Sequence, residues 1–125
     1  MKKKVLVVDD ALLLHRMYDL ALRSYTRFVV EPHFAASAAE AMARLAEHPD
    51  MSLVLLDVNM PAVTGLECLE QLRREPALSA IPVVLQSTED RLADIQRGLA
   101  AGARGYLTKP FSPAQLHQLL DTLLS

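Results

Sequence analysis

The sequence predicts an α/β fold: a doubly wound, five-stranded parallel sheet with the strand order 2-1-3-4-5. Three observations lead there. Short, wholly apolar runs alternate with stretches of helical period, and the alternation repeats as strand then helix five times within 125 residues. The runs are continuously apolar, as strands covered on both faces require. A Pro just beyond the second run marks that strand as an edge, because Pro cannot donate to a ladder. Parallel crossovers are right-handed and each strand needs cover on both sides, so five such units close as an open sheet with helices on both faces.

Taken in order, the first strand is Val5 to Val8, ended by Asp9-Asp10 at the start of the first helix. The second, weaker one is Phe28 to Val30, with Pro32 as the edge signal. Ser37 followed by Glu40 forms a capping-box pattern that opens the second helix at Ala41-Met42-Ala43-Arg44-Leu45. Leu53 to Leu56 is the third strand, and Thr64 with Glu67 repeats the box before Leu66, Cys68, Leu69 and Leu72. Val83 to Leu85 is the fourth strand. Thr88 is the expected cap of the fourth helix, with Glu89-Asp90 loading its first turn. Tyr106-Leu107 marks the fifth strand, and Gly102 and Gly105 read as turn positions of positive φ. The last helix starts at Ser112-Pro113 with Gln115, and Leu116, Leu119, Leu120, Leu123 and Leu124 form its apolar stripe.

Composition narrows the function. Thirteen Lys plus Arg against fifteen Asp plus Glu give a net charge of -2, and the Lys2-Lys3-Lys4 run is too short to make a phosphate-binding surface. Direct nucleic-acid binding is therefore not expected. Cys68 is the single cysteine, so no intramolecular disulfide forms. No apolar run approaches the roughly 20 residues of a membrane span, and the start of the chain lacks the apolar stretch of a signal peptide. These features predict one cytoplasmic domain over residues 1–125, with no membrane association and no segment to carry an output.

In a sheet of this topology ligands bind beyond the carboxyl ends of the strands, near the switch point between the first and third. Strand one ends in Asp9-Asp10, strand three in Asp57 followed by Val58-Asn59-Met60-Pro61, strand four in Ser87-Thr88 and strand five in Lys109-Pro110. Three carboxylates meeting in one crevice repel one another, and a hard divalent cation relieves that repulsion; an all-oxygen donor set suits Mg²⁺. The histidines His15, His33, His48 and His117 are scattered, which argues against a soft-metal site. A metal beside a carboxylate and a lysine is also equipment for phosphoryl transfer, with Asp57 as nucleophile, Lys109 neutralising charge and Ser87 donating a hydrogen bond.

Four segments in this order resemble the receiver domain of two-component response regulators, specifically single-domain receivers of the chemotaxis type. They are Val5-Leu6-Val7-Val8-Asp9-Asp10; Leu55-Leu56-Asp57-Val58-Asn59-Met60-Pro61 with Gly65 and Leu66; Pro82 to Ser87; and Ala101 to Phe111. The resemblance implies a flavodoxin-like (βα)5 fold and a phosphoprotein of a phosphorelay, with Asp57 as phosphoacceptor. It further implies that Asp9 and Asp10 hold Mg²⁺, that Asp57 and the Asn59 backbone carbonyl join them, and that Ser87 is the switch hydroxyl. Lys109 would pair with the phosphoryl group, Lys109-Pro110 would be cis, and Tyr106 would be the aromatic switch. The implied partners are a sensor histidine kinase or phosphotransfer protein as donor and a downstream protein on the surface of the fourth helix, fifth strand and fifth helix. The chain would be a monomer or a weak, phosphorylation-dependent dimer, and no enzyme beyond its own Mg²⁺-dependent phosphorylation and dephosphorylation.

Structural readings stand beside several of these roles. Asp10, taken alone, reads equally as a helix N-cap. His15 reads as a partly exposed helical residue, and Tyr106 as an ordinary strand residue. Two positions depart from the family: Thr64 stands where an acid is common, and Thr88 where a small residue is usual. Thr88 would narrow access to Asp57, and Asn59 and Glu89 would flank the acceptor and tune the lifetime of its acyl phosphate. Among rivals, a haloacid-dehalogenase-type phosphatase needs an Asp-x-Asp pair that Asp9-Asp10-Ala11 lacks. A flavodoxin-type cofactor binder needs a phosphate-cradling first loop, absent here. A pseudo-receiver acting only as an interaction module usually lacks the acceptor, an acid or the lysine, all present in this chain.

Overall fold

A computed structural model describes residues 2–60, 63–87, 92–109 and 111–124. Five strands and five helices alternate: β1 (Lys2–Val8), α1 (Leu12–Arg23), β2 (Val29–Ala35), α2 (Ala38–Glu47), β3 (Leu53–Asp57), α3 (Gly65–Arg74), β4 (Val83–Ser87), α4 (Leu92–Ala100), β5 (Gly105–Thr108) and α5 (Pro113–Leu124). The sheet is parallel throughout, in the order β2-β1-β3-β4-β5. The expected fold class and strand order are both realised.

Strand β2 runs well past the apolar run that announced it. It continues through Pro32, which lies opposite Val5, and an edge strand tolerates the missing N–H because one of its sides has no ladder to join. Its half-buried Glu31, His33 and Phe34 hid the extension from a search for continuous apolar residues. Gly105 also differs from expectation. Gly102 has a φ of 105° and is the positive-φ glycine of the described residues, whereas Gly105 opens β5 as an ordinary strand residue opposite Val84.

Period-two alternation sends the strand side chains to two separate cores. Leu6, Val8, Val54, Leu56, Val83 and Leu85 pack with α2 and α3 through Ala41, Leu45, Cys68, Leu69 and Leu72. Val5, Val7, Leu53, Leu55, Val84 and Leu107 pack with α1 and α5 through Tyr18, Leu22, Leu116 and Leu120. Of the α5 stripe, Leu116, Leu120 and Leu124 are buried, with Leu119 and Leu123 packed against that core.

The expected caps set the helix starts. Thr64 and Glu67 form a reciprocal box, each backbone N–H donating to the other side chain at 3.1 and 3.2 Å. Ser112 and Gln115 do the same at 2.7 and 3.2 Å. Ser37 accepts from the Glu40 N–H at 3.1 Å, while the Glu40 carboxylate reaches one residue further back, to the N–H of Ala36. The proposed cap of α4 at Thr88 lies outside the described residues.

Candidate functional site

The carboxyl ends of β1, β3, β4 and β5 converge, and what they converge on follows from the alternation. Asp9, Asp57, Gln86 and Lys109 each stand two residues beyond a member of the α1/α5 core: Val7, Leu55, Val84 and Leu107. They form the layer above it. Asp9 and Asp57 are 1% and 6% exposed, so two of the acids lie largely out of water.

Each acid has a specific set of partners. One Asp9 oxygen accepts from the Ala11 N–H at 2.9 Å and the other from the Lys109 ammonium at 2.7 Å. Asp57 Oδ1 accepts from the Asn59 N–H at 3.1 Å and lies 3.7 Å from Lys109 Nζ. The lysine thus sits between the two carboxylates and closer to Asp9. Burial pushes the Asp57 carboxyl above the usual carboxylate range, aided by the charges of Asp9 and Asp10 and opposed by the Asn59 N–H and Lys109.

Asp10 is exposed, and its reading as an N-cap is not realised. The N-cap of α1 is Ala11, whose methyl side chain offers no acceptor and makes no cap bond; its own N–H donates to Asp9. Asp10 is left facing the same crevice. Oxygens of Asp9, Asp10 and Asp57 all come within 4.8 Å of one another, an all-oxygen donor set of the kind hard cations prefer.

Asn59, expected to contribute its backbone carbonyl, also uses its side chain: the amide donates to Ser87 Oγ at 3.0 Å. Ser87 is buried at the end of β4, and its carbonyl accepts from the Lys109 N–H at 2.7 Å. Tyr106 is partly buried against the α2/α3 core, beside Leu85 in the sheet. His15 is half-buried as expected, bonded to the Asp9 carbonyl at 2.8 Å and stacked on Phe34 with ring centroids 5.0 Å apart. Gly65 is required by close approach: a Cβ there would stand 2.3 Å from the Asp57 carbonyl oxygen. The cis expectation at Pro110 and the roles of Thr88 and Glu89 fall outside the described residues.

Two residues of the site were not singled out from the sequence. Tyr18 of α1 is fully buried, and its hydroxyl donates to the side-chain oxygen of Gln86. The available signal was Gln86 itself, an amide within a strand whose residues are all buried.

Comparison with known proteins agrees with this arrangement. The family described as response regulator receiver domain matches residues 5–121. Chemotaxis protein CheY1 of Helicobacter pylori is 32% identical over 122 residues, covering 97% of this chain and 96% of that protein. The probable transcriptional regulator ycf27 of Cyanophora paradoxa is 39% identical, but this chain spans only 48% of its length. Among solved structures, chemotaxis protein CheY4 of Vibrio cholerae superposes with a TM-score of 0.87 at 32% identity, covering 98% and 99% of the two chains. A response regulator from Chloroflexus aurantiacus gives 0.88 at 25% identity over the whole of both chains. The chain belongs to the receiver domain family of two-component response regulators, signalling modules that act as phosphoacceptors and bind Mg²⁺ at an acidic pocket.

Proposed function

We propose that Asp57 is the phosphoacceptor of this receiver, that Asp9, Asp10 and Asp57 with the Asn59 carbonyl hold Mg²⁺, and that Ser87, Lys109 and Tyr106 read out the modification. One observation carries the assignment: Asp57 is a buried carboxylate at the strand end nearest the switch point, with an ammonium and two further acids around it. The bound cation would neutralise charge on the phosphoryl oxygens. All other steps fall to the chain. An Asp57 oxygen attacks the phosphorus of a phosphohistidine; the O–P bond forms as the N–P bond breaks, and the departing electron pair stays on the donor imidazole, which takes up a proton. Hydrolysis later returns Asp57 to its carboxylate and releases inorganic phosphate. In that sense the domain catalyses its own phosphorylation and dephosphorylation and no other reaction.

Lys109 supports the product, since a movement of about 1 Å, the difference between its 2.7 and 3.7 Å contacts, transfers it from Asp9 to Asp57. Ser87 Oγ, which accepts from the Asn59 amide, would donate its own proton to a phosphoryl oxygen on Asp57. Added charge of nearly two units then favours the conformer that contacts it. Shifting a two-state equilibrium from about 1:99 to 99:1 takes about 5.5 kcal/mol, within reach of a few charge-assisted hydrogen bonds.

The donor, a sensor histidine kinase or phosphotransfer protein, must approach over α1. Leu12 and Leu13, 66% and 92% exposed, stand one residue beyond the acid pair, after Ala11, and Met17 and Leu20 continue the apolar face. The downstream protein would bind the α4-β5-α5 surface, where Leu99 is 48% exposed and Tyr106 lies on the edge strand β5. We assign residues 1–125 to this one receiver domain, acting in the cytoplasm as a monomer or weak phosphorylation-dependent dimer without direct nucleic-acid or membrane contact. No helix of the described residues is long and apolar enough to cross a membrane. Incubation with acetyl phosphate and Mg²⁺ should add the mass of one phosphoryl group, and Asp57→Asn should abolish the gain. A gain that survives the substitution, or none in the native protein, overturns the assignment.

A further inference from the structure

Helix α4 is held to the molecule differently from the other helices. α1, α2, α3 and α5 bury side chains in the two cores, among them Leu22, Leu45, Leu69 and Leu120. Among those residues of α4 whose side chains are described, Ile95 is half-buried and Gly98 alone is buried, and a glycine has no side chain to bury. It lies so close to β4 that a Cβ would stand 2.4 Å from Leu85 Cδ1. The helix therefore rests there with bare backbone on the flexible end of a leucine, and an element with few buried apolar contacts opens or shifts at low cost.

What fixes α4 lies at its C-terminal end. Gly102, with its φ of 105°, closes a Schellman motif: its N–H donates to the Leu99 carbonyl at 3.1 Å, and the Ala103 N–H donates to the Gly98 carbonyl at 3.0 Å. The Gly102 carbonyl is then claimed by another helix. Arg73, in the last turn of α3, donates to it from Nη2 at 2.7 Å, and from Nη1 to the carbonyls of Ser79 and Ile81 at 2.9 and 3.1 Å. One guanidinium thus joins α3, the loop into β4 and the turn into β5. Its rigid fork of donors suits a fixed set of carbonyls, and a cation is favoured at the C-terminal end of a helix dipole. A Cβ on Gly102 would stand 2.8 Å from Arg73 Nε, so the glycine serves this approach as well as the turn.

We infer that Arg73 is the pivot of α4. It pins the C-terminal end of the helix, while the Gly98 contact with Leu85 lets the preceding turns swing over β4. A change at Ser87, two residues beyond Leu85, then tilts α4 about its pinned end. The tilt rests on Asp57 being the acceptor; the pinning does not.

Hydrogen exchange of backbone amides tests both parts. Arg73→Met keeps the aliphatic stem and removes the fork. In the unphosphorylated variant the amides of Ala101, Gly102 and Ala103 should exchange roughly ten- to a hundredfold faster, the scale of hydrogen bonds to a charged group, while those of Ala41 to Leu45 in α2 keep their native rates. Arg73→Lys, whose point charge cannot span three carbonyls, should fall between the native protein and Arg73→Met, and it serves alone if the Met variant fails to fold. In native protein treated with acetyl phosphate and Mg²⁺, exchange should change in the turns of α4 before Gly98 and stay as it was from Ala101 to Ala103. Unchanged exchange at those three amides in the Arg73 variants, or equal acceleration in α2, overturns the pinning. A response to phosphorylation as large there as in the preceding turns overturns the pivot. If no phosphoryl group is taken up, it is the acceptor assignment that fails, and the Arg73 variants still decide the pinning.

Discussion

The two faces of the sheet are built alike in their lower layers and differently at the top. On the α2/α3 side, apolar side chains continue from Leu6 to Val8 and from Leu56 to Val58 without a buried carboxylate. On the α1/α5 side, the same apolar layers end in Asp9, Asp57, Gln86 and Lys109, with the Tyr18 hydroxyl against them. Both faces contain closely packed Leu and Val, so packing alone does not distinguish them. The difference shows that the buried carboxylates and the ammonium are confined to one layer of one face, where each strand runs one step beyond the core it has just supplied, while Ser87, two residues beyond Leu85, and Tyr106 belong to the other face.

The largest expected effects test whether the lower layers are equivalent. Leu69→Ala on the α3 side and Leu22→Ala on the α1 side each remove a side chain with no exposure. Each should lower stability by about 2–5 kcal/mol, measured by urea denaturation. Phosphorylation of the remaining folded protein should proceed at the native rate in both. A change in rate for Leu69→Ala alone would mean that the apolar face also shapes the pocket.

Gly65→Ala attacks the joint between the faces. Its Cβ would stand 2.3 Å from the Asp57 carbonyl oxygen and 2.7 Å from Val58 Cα, so α3 or the end of β3 must move. Backbone neighbours yield less readily than side chains, and overpacking of this kind costs roughly 1–3 kcal/mol. Unlike the Leu variants, this one should also slow phosphorylation, because the atoms displaced carry the acceptor. Thr64→Ala, one residue away, is the milder control: it removes the hydroxyl that accepts the Glu67 N–H, for about 1 kcal/mol. Its phosphorylation rate should remain native.

How far the sequence revealed this arrangement depends on what each signal measured. Wholly buried stretches announce themselves as apolar runs, so β3, β4 and the Val5–Val8 part of β1 were legible, whereas the less buried Lys2, Lys3 and Lys4 that open β1 were not; reciprocal boxes at Thr64 and Ser112 gave helix starts to the residue. The far half of β2 was not, because an edge strand is only half covered and its residues need not be apolar. Asp9, Asp57, Ser87 and Lys109 were legible because strand ends in this topology share one crevice. Tyr18 was not, since a helix aromatic at an apolar position reads as core, and only the register of Gln86 beside Asp57 shows that its hydroxyl has polar company. Asp10 was ambiguous until the structure placed Ala11 at the N-cap and an Asp10 oxygen beside those of Asp9 and Asp57.

The smallest stability effect has the opposite sign. Burial raises the Asp57 pKa in the folded protein, so the folded state holds this proton more tightly than the unfolded chain does. Below the ordinary aspartate pKa both states are protonated and the neutral carboxyl is tolerated in its site. As pH rises through the raised folded value, the group must ionise where it is poorly solvated, and stability is lost. Asp57→Asn carries no charge at any pH, so in metal-free solution it should be more stable than the native protein at neutral pH, by a few degrees in melting temperature at most. That advantage should disappear toward acid pH. Added Mg²⁺ should narrow the gap at neutral pH by raising the native protein more than the variant. A variant less stable than the native protein at neutral pH without metal would mean that Lys109 and the Asn59 N–H outweigh burial at Asp57, and the top layer would then stabilise the fold as the apolar layers do.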